Sequence, residues 1–202
     1  AAIAETCGIG LQCHAHNDFG LAVANTLAGL KAGATYFHVT VNGIGERAGM
    51  ADIVQMVAIL DHLYGVHLGI DLPKLVEVSD FVSTACGHRP PPWQPLVGAN
   101  VFAHESGIHV NAMLKDTTSF EPIAPELLGR SRRYVLGKHS GRAMIRSLLS
   151  ERSVPFDDDV LADCLREVRA LSTRIGGEVS ADQLLSIYED VVAGRPAVGT
   201  PS

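Results

Sequence analysis

Residues 11–41 read LQCHAHNDFGLAVANTLAGLKAGATYFHVTV, a helical stretch between two shorter, strand-like ones. Leu11 to His14 has the character of a short buried strand. Asn17, Asp18 and Gly20 supply a loop, and residues 21–32 repeat apolar side chains at the spacing of one helix face. Gly33 stands where a helix C-terminal glycine belongs. Over Thr35 to Val41 the period changes to two, with Phe37, Val39 and Val41 facing one way and His38, Thr40 and Asn42 the other. Strand, helix, strand is the unit of a parallel α/β protein.

Working outward, residues 1–7 read as the end of a helix, so Ala1 opens as the rear part of a larger protein would, although processing gives the same start. After residue 41 a glycine-rich turn, Gly43 to Gly49, leads into an apolar helix from about Ala51 to Tyr64. Two strands alone cannot make a parallel sheet of this kind, whose faces must both be covered. Asp71-Leu72-Pro73 signals a helix start, and that helix runs to about Ala85. Residues 1–87 therefore form one α/β portion, and the Pro-rich stretch 88–95 is a linker. Residues 96–194 form a second module: loop-rich to residue 130, a short strand from Arg133 to Leu136, a Gly137–Gly141 turn and a helix to about Glu151. Two more helices follow near 157–174 and 181–193, the last opened by a Ser180/Gln183 capping box. Residues 195–202 read as a flexible tail.

At 202 residues, 47% apolar and 19% charged, the chain has globular composition. A net charge of -6 argues against a nucleic-acid partner, which needs clustered Lys and Arg. No apolar run approaches the ~20 residues that span a bilayer. The four cysteines are scattered without framework spacing, so a reduced, cytoplasmic setting is expected.

Four segments carry chemistry. In His14-Ala15-His16 the imidazoles at i and i+2 of a strand share a face, and neutral imidazole binds divalent metals. The alternative is one histidine at a helix cap and the other exposed. If the strand ends there, both lie at the C-terminal mouth of the sheet, as does the turn Asn42 to Gly49 after the next strand. In that turn Glu46 and Arg47 either pair to brace the loop or hold a substrate carboxylate. Thr40, just before it, joins them as a candidate substrate-binding residue. Ala103 to His109 places His104, Glu105 and His109 within one short segment, enough for acid–base work unless they are satisfied loop residues. Leu136 to Arg142 (LGKHSGR) looks like a phosphate loop, but that pattern wants Gly where Arg132 stands; a helix-starting turn with a basic rim is the safer reading.

Taken in order and spacing, HAHNDFGLAVANTLAGLKAGAT (14–35), VNGIGERAG (41–49), VGANVFAHESGIH (97–109) and VLGKHSGR (135–142) resemble the homocitrate synthase and 2-isopropylmalate synthase family. The resemblance covers about residues 5–193. Pro91 to Trp93 and Ile108-His109-Val110 look closer to its nitrogen-fixation-type homocitrate synthases. It implies a (β/α)8 barrel, of which this chain holds the last two β/α units, followed by a mainly helical C-terminal module. It implies condensation of acetyl-CoA with a 2-oxo acid, 2-oxoglutarate in the homocitrate case, on a divalent ion (Zn, Mg or Mn). His14 and His16 match strand-borne metal ligands, and His109 matches a catalytic histidine that reaches the active site of the partner subunit. A homodimer, or pairing with an N-terminal half subunit, follows from that resemblance.

Three features depart from the family pattern. The opening strands, with an Arg-Asp-Gly-Glu-Gln segment supplying an acidic ligand, are absent from this sequence. Met50 stands where many members have a metal-binding Asn, and thioether is a poor ligand for a hard site. Phe120 replaces a Tyr that works beside the histidine, and so loses its hydroxyl. The leading expectation is a homocitrate-synthase-like C-terminal portion. A 2-isopropylmalate or citramalate synthase portion, or a non-catalytic accessory remnant, is the alternative. Uncovered strand faces at 11–14 and 35–41 would be sticky. The isolated chain is therefore expected to self-associate in light scattering, and a monomer that melts cooperatively would contradict this.

Overall fold

The computed structural model describes residues 2–107, 112–113 and 116–194. The expected tail 195–202 lies outside them. The chain divides into two compact units, one of Ala1–Val101 with Ile123–Ser131, the other of Phe102–Pro122 with Arg132–Ser202.

The first unit runs α1 (Ala2–Cys7), β1 (Gln12–Cys13), α2 (Ala22–Lys31), β2 (Tyr36–Phe37), α3 (Ile53–Tyr64) and α4 (Leu72–Cys86). β1 and β2 pair in parallel, Gln12 against Tyr36 and Cys13 against Phe37. The ladder is shorter than the alternation suggests. Past Phe37 the chain makes only one parallel bridge, Thr40 to Asp52, and then coils into a 3-10 turn at Val41–Gly43 with Asn42 at φ 60°. The β1 segment is also less buried than expected: Leu11 and Cys13 are half-buried, while Gln12 and His14 are exposed. Only one side of the pair is covered. Phe37, Val39 and Ala15 pack on a core of Ala22 from α2, Met56 and Leu60 from α3, and Ala51 just before α3, whereas Tyr36 on the other side is 63% exposed.

Local chemistry sets the helix ends. The Asp52 carboxylate accepts the Val54 N–H at 2.7 Å and starts α3 two residues later than the apolar pattern suggests. Gly65, at φ 64°, closes that helix, its N–H and that of Val66 reaching back to the carbonyls of Asp61 and Leu60. Asp71 caps α4 through the Lys74 N–H.

The second unit holds β3 (Ala103–His104), β4 (Arg133–Tyr134), α5 (Arg142–Glu151), α6 (Asp158–Ile175) and α7 (Ala181–Ala193). β3 pairs in parallel with β4, Ala103 against Arg133 and His104 against Tyr134. The sequence pattern of residues 96–130 is that of a loop, and the ladder to β4 makes Ala103–His104 a strand. Its core gathers Leu136, Met144, Ile145, Leu149, Leu161, Cys164, Val168 and Leu184. On α6, Leu161, Cys164 and Val168 recur at the spacing of one helix face. The capping box forms as expected: the Gln183 N–H donates to Ser180 Oγ at 3.1 Å and the Ser180 N–H to Gln183 Oε1 at 2.8 Å. Leu161 is fully buried, so Leu161→Ala should cost about 2–5 kcal/mol in urea unfolding. Ser180→Ala, which removes only the cap, should cost about 1 kcal/mol.

Candidate functional site

The end of β1 positions the first histidines. Because Cys13 lies opposite Phe37, the next residues, His14 and His38, emerge side by side. Their Nδ1 atoms lie 2.9 Å apart, one ring donating to the other, with centroids 5.2 Å apart and edge to face. His16 follows, its ring centroid 5.2 Å from that of His14. The HxH pair is thus together, and His38 joins it. The two-residue period of 35–41 had put His38 on the polar face, but only the strand register sets it against His14. The bond engages Nδ1 of His14, so Nε2 is the nitrogen that His14 has for a metal.

The Asn42–Gly49 turn lies at the same strand ends. His16 forms an antiparallel bridge with Met50, the Asn17 N–H donates to Gly49 O at 2.9 Å, and the Met50 N–H donates to Gly43 O at 3.0 Å. A Cβ on Gly49, whose φ is +84°, would sit 2.0 Å from Gly43 O, so the closed loop requires glycine there. Thr40 is held by its backbone, its N–H on Ala51 O at 3.0 Å and its C=O accepting the Ile53 N–H at 3.1 Å.

The Glu46–Arg47 pair does not form. Arg47 sits at φ 56° and turns back to Asp18, its Nε on Oδ1 at 2.9 Å and Nη2 on Oδ2 at 3.3 Å. The hydrogen bond from the Asn17 N–H to Gly49 O brings the 17–20 loop beside the turn that carries Arg47. The Arg47 guanidinium holds the Asp18 carboxyl below its usual range. Glu46 is exposed.

Two polar atoms here are buried without a hydrogen-bond partner: Nδ1 of His16 and Oγ1 of Thr40. Such atoms are uncommon in folded proteins. The unpartnered imidazole nitrogen of His16 fits a metal ligand. Among the described residues no group of three or more His, Cys, Asp or Glu side chains is placed to hold an ion.

Beside the loop lies a cavity of about 450 Å³, lined in part by Asn17, Asn42, Met50, Asp52, Trp93 and Gln94. Met50 lines it and packs over Gly45. Gln94, from the Pro-rich stretch, donates through Nε2 to Asp52 Oδ2 at 2.7 Å and to Asn42 O at 3.3 Å. The Asn42 side chain bonds to Ser79 O and Ser83 Oγ on α4. Composition marks residues 88–95 as loop but cannot say which carboxylate Gln94 meets.

In the second unit His104 and Glu105 have partners of their own. His104 Nε2 meets Glu121 Oε1 at 3.1 Å, and Arg132 Nε donates to Glu121 Oε2 at 2.7 Å. The His104 and Glu121 side chains are 10% and 4% exposed. Glu105 Oε1 accepts the His139 N–H at 2.8 Å. His109 lies outside the described residues. Phe120 is 44% exposed. No helix among the described residues is long and apolar enough to cross a membrane.

Residues 1–82 match the family model described as HMGL-like, and residues 96–175 match the homocitrate synthase post-HMGL domain-like model. The chain is 61% identical over 193 residues to a 2-phosphonomethylmalate synthase of Streptomyces rubellomurinus, covering 96% of this chain and 52% of that protein. A putative (R)-citramalate synthase of Methanopyrus kandleri is 49% identical over 187 residues, 93% of this chain and 36% of its own. Homocitrate synthase 1 of Nostoc sp. is 43% identical over 182 residues, 90% and 48% respectively. The chain thus spans about half or less of the length of these curated relatives.

Asp52 gives the site a pH signature. Burial pushes its carboxyl up, against the opposing hydrogen bonds from Val54 and Gln94. A raised carboxyl favours the protonated folded form, so its contribution is complete below the ordinary value of 3.8 and is lost as pH rises through the raised one. Asn keeps a capping oxygen for Val54 and carries no charge. Asp52→Asn should therefore gain stability relative to the parent chain as pH rises above about 3.8 and through the raised value, read by urea unfolding at each pH. A difference independent of pH would refute this.

Proposed function

The chain belongs to the homocitrate synthase and 2-isopropylmalate synthase family, and we propose that it is the rear portion of an acyltransferase condensing acetyl-CoA with a 2-oxo acid. The methyl carbon of the thioester bonds to the carbonyl carbon of the oxo acid, and water cleaves the thioester to give a 2-substituted malate and CoA. The observation that carries this reading is the unpartnered, buried Nδ1 of His16, beside His14 at the end of a parallel strand.

Residues 1–87 supply the last two β/α units of a (β/α)8 barrel, residues 88–95 a linker, and residues 96–194 a mainly helical module. His14 and His16 would hold a divalent ion (zinc, magnesium or manganese), which as a Lewis acid polarises a carbonyl. Thr40 Oγ1, buried without a partner, donates to a substrate oxygen at the same mouth. Glu46 and Arg47 lie on the rim, where Arg47, steadied by Asp18, meets a substrate carboxylate. His109 serves as the acid–base residue, with His104 and Glu105 on the chain leading to it. The full site needs an acidic ligand from an N-terminal half, and a dimer places His109 in the partner subunit's site.

The Pro-Pro-Trp and Ile-His-Val segments favour 2-oxoglutarate as the oxo acid. The 61% identity to a 2-phosphonomethylmalate synthase favours a second reading, a 2-oxo acid bearing a phosphonomethyl group. Both carry an anionic side chain; pyruvate and 2-oxoisovalerate, for citramalate and isopropylmalate, do not. A non-catalytic accessory role would draw on Met50 and Phe120.

The test pairs this chain with a barrel half bearing the Arg-Asp-Gly-Glu-Gln segment, adds divalent metal, and follows CoA thiol release with each of the four oxo acids. Release should exceed background with an anionic oxo acid and fall at least about a hundredfold in His14→Ala or His16→Ala. A stable, metal-loaded pair that releases CoA with none of them would leave the accessory role standing.

A further inference from the structure

We infer that Glu105 is a positioning residue and not a proton carrier. Its carboxylate locks the 137–141 turn to the segment that runs on to His109. The proposal takes the catalytic placing of His109 from the reading above, while the lock itself is independent of it.

Four contacts join the two glycine-containing motifs. Glu105 Oε1 accepts the His139 N–H at 2.8 Å. Two residues on, the Gly107 N–H donates to His139 O at 3.2 Å. Both backbone groups of His139 are thus taken by the 105–107 segment. The backbones of Gly107 and Gly141 touch, since a Cβ on Gly107 would lie 2.8 Å from Gly141 Cα. At Gly137 a Cβ would fall 2.4 Å from Glu105 Oε1. The carboxylate therefore fills the volume that any other residue at 137 would need. The pattern explains why a motif with the look of a phosphate loop keeps Gly137 without the rest of that loop: the glycine makes room for Glu105.

The parallel ladder supports the lock. Arg133 N–H on Phe102 O at 2.8 Å and Val135 N–H on His104 O at 3.0 Å bring both segments out of β3 and β4 in the same direction. Glu105 and the 137–141 turn then follow their strands by one and three residues. The Ser140 hydroxyl braces the turn from inside, accepting the Gly137 N–H at 2.9 Å. Between the two segments opens a cavity of about 580 Å³ lined by Ser106, Gly107, Lys138, His139, Ser140, Gly141 and Arg169. Glu105 holds its two walls together.

The acceptor role and the proton-carrying role separate on one substitution. Gln keeps an Oε1 that accepts the His139 N–H but cannot carry a proton, whereas Ala removes both. Two readouts apply: amide hydrogen exchange at His139 and Gly107 in this chain, and kcat for CoA release in the assembled pair. Glu105→Ala should speed exchange at both amides at least about tenfold. In the pair it should lower kcat by up to roughly a hundredfold. Glu105→Gln should restore both, and Gly137→Ala should reproduce the Glu105→Ala exchange pattern. The inference is overturned if Glu105→Gln exchanges like the parent yet is as inactive as Glu105→Ala, or if Glu105→Ala leaves exchange unchanged. If even the parent pair releases no CoA, the proposed reaction fails, and the exchange data alone decide whether the lock exists.

Discussion

Parallel pairing of Cys13 with Phe37 is the constraint on which the first unit's site depends. In a parallel pair both strands run the same way, so the residues after each emerge at one edge. His14 and His38 are the first two out, and their Nδ1 atoms meet. The chain then closes on itself twice, through Thr40 with Asp52 and His16 with Met50. Those bridges carry the glycine turn over the histidines. A slip of one residue in the ladder would turn His14 away and put a core side chain in its place.

Much of this was legible in the sequence, for identifiable reasons. Long helices announce themselves through periodicity and capping, as α6 and the Ser180–Gln183 box do. The two-residue strands do not. β1 and β2 were placed because apolar stretches flank an evident helix, but their length was overstated, since alternation continues to Val41 while pairing stops at Phe37. Ala103–His104 offers no alternation, and its partner lies about thirty residues away. The histidine pair was visible from its spacing; His38 needed the register, Asp18 the left-handed turn at Arg47, and Gln94 the buried Asp52.

Carboxylates in the second unit show how a loop-rich segment is tied to its neighbours. Glu121 takes His104 on one oxygen and Arg132 on the other, and Glu105 takes a backbone N–H. A buried ion pair adds little net stability over an apolar replacement, but breaking it strands a charge. What such a pair contributes is a single arrangement: Glu121 bonds β3 to the chain before β4 in one geometry only. Glu105 adds a second lock beyond the ladder. Together they tie the segment down at His104 and at the residue after it.

The same reasoning applies to the metal share in the first unit. Two imidazoles are fewer donors than a zinc or magnesium site uses, commonly four to six. On the proposed reading the other donors come from an N-terminal barrel half and from substrate. Metal binding and assembly are then linked, because an ion held weakly by His14 and His16 is held tightly only when the acidic ligand arrives. The buried, unpartnered Nδ1 of His16 and Oγ1 of Thr40 carry the complementary cost, roughly 1–3 kcal/mol for each buried polar atom left unpaired. That cost is relieved when the site fills. On the proposed reading the chain is least stable alone, and these two atoms are the ones that the ion and the oxo acid satisfy.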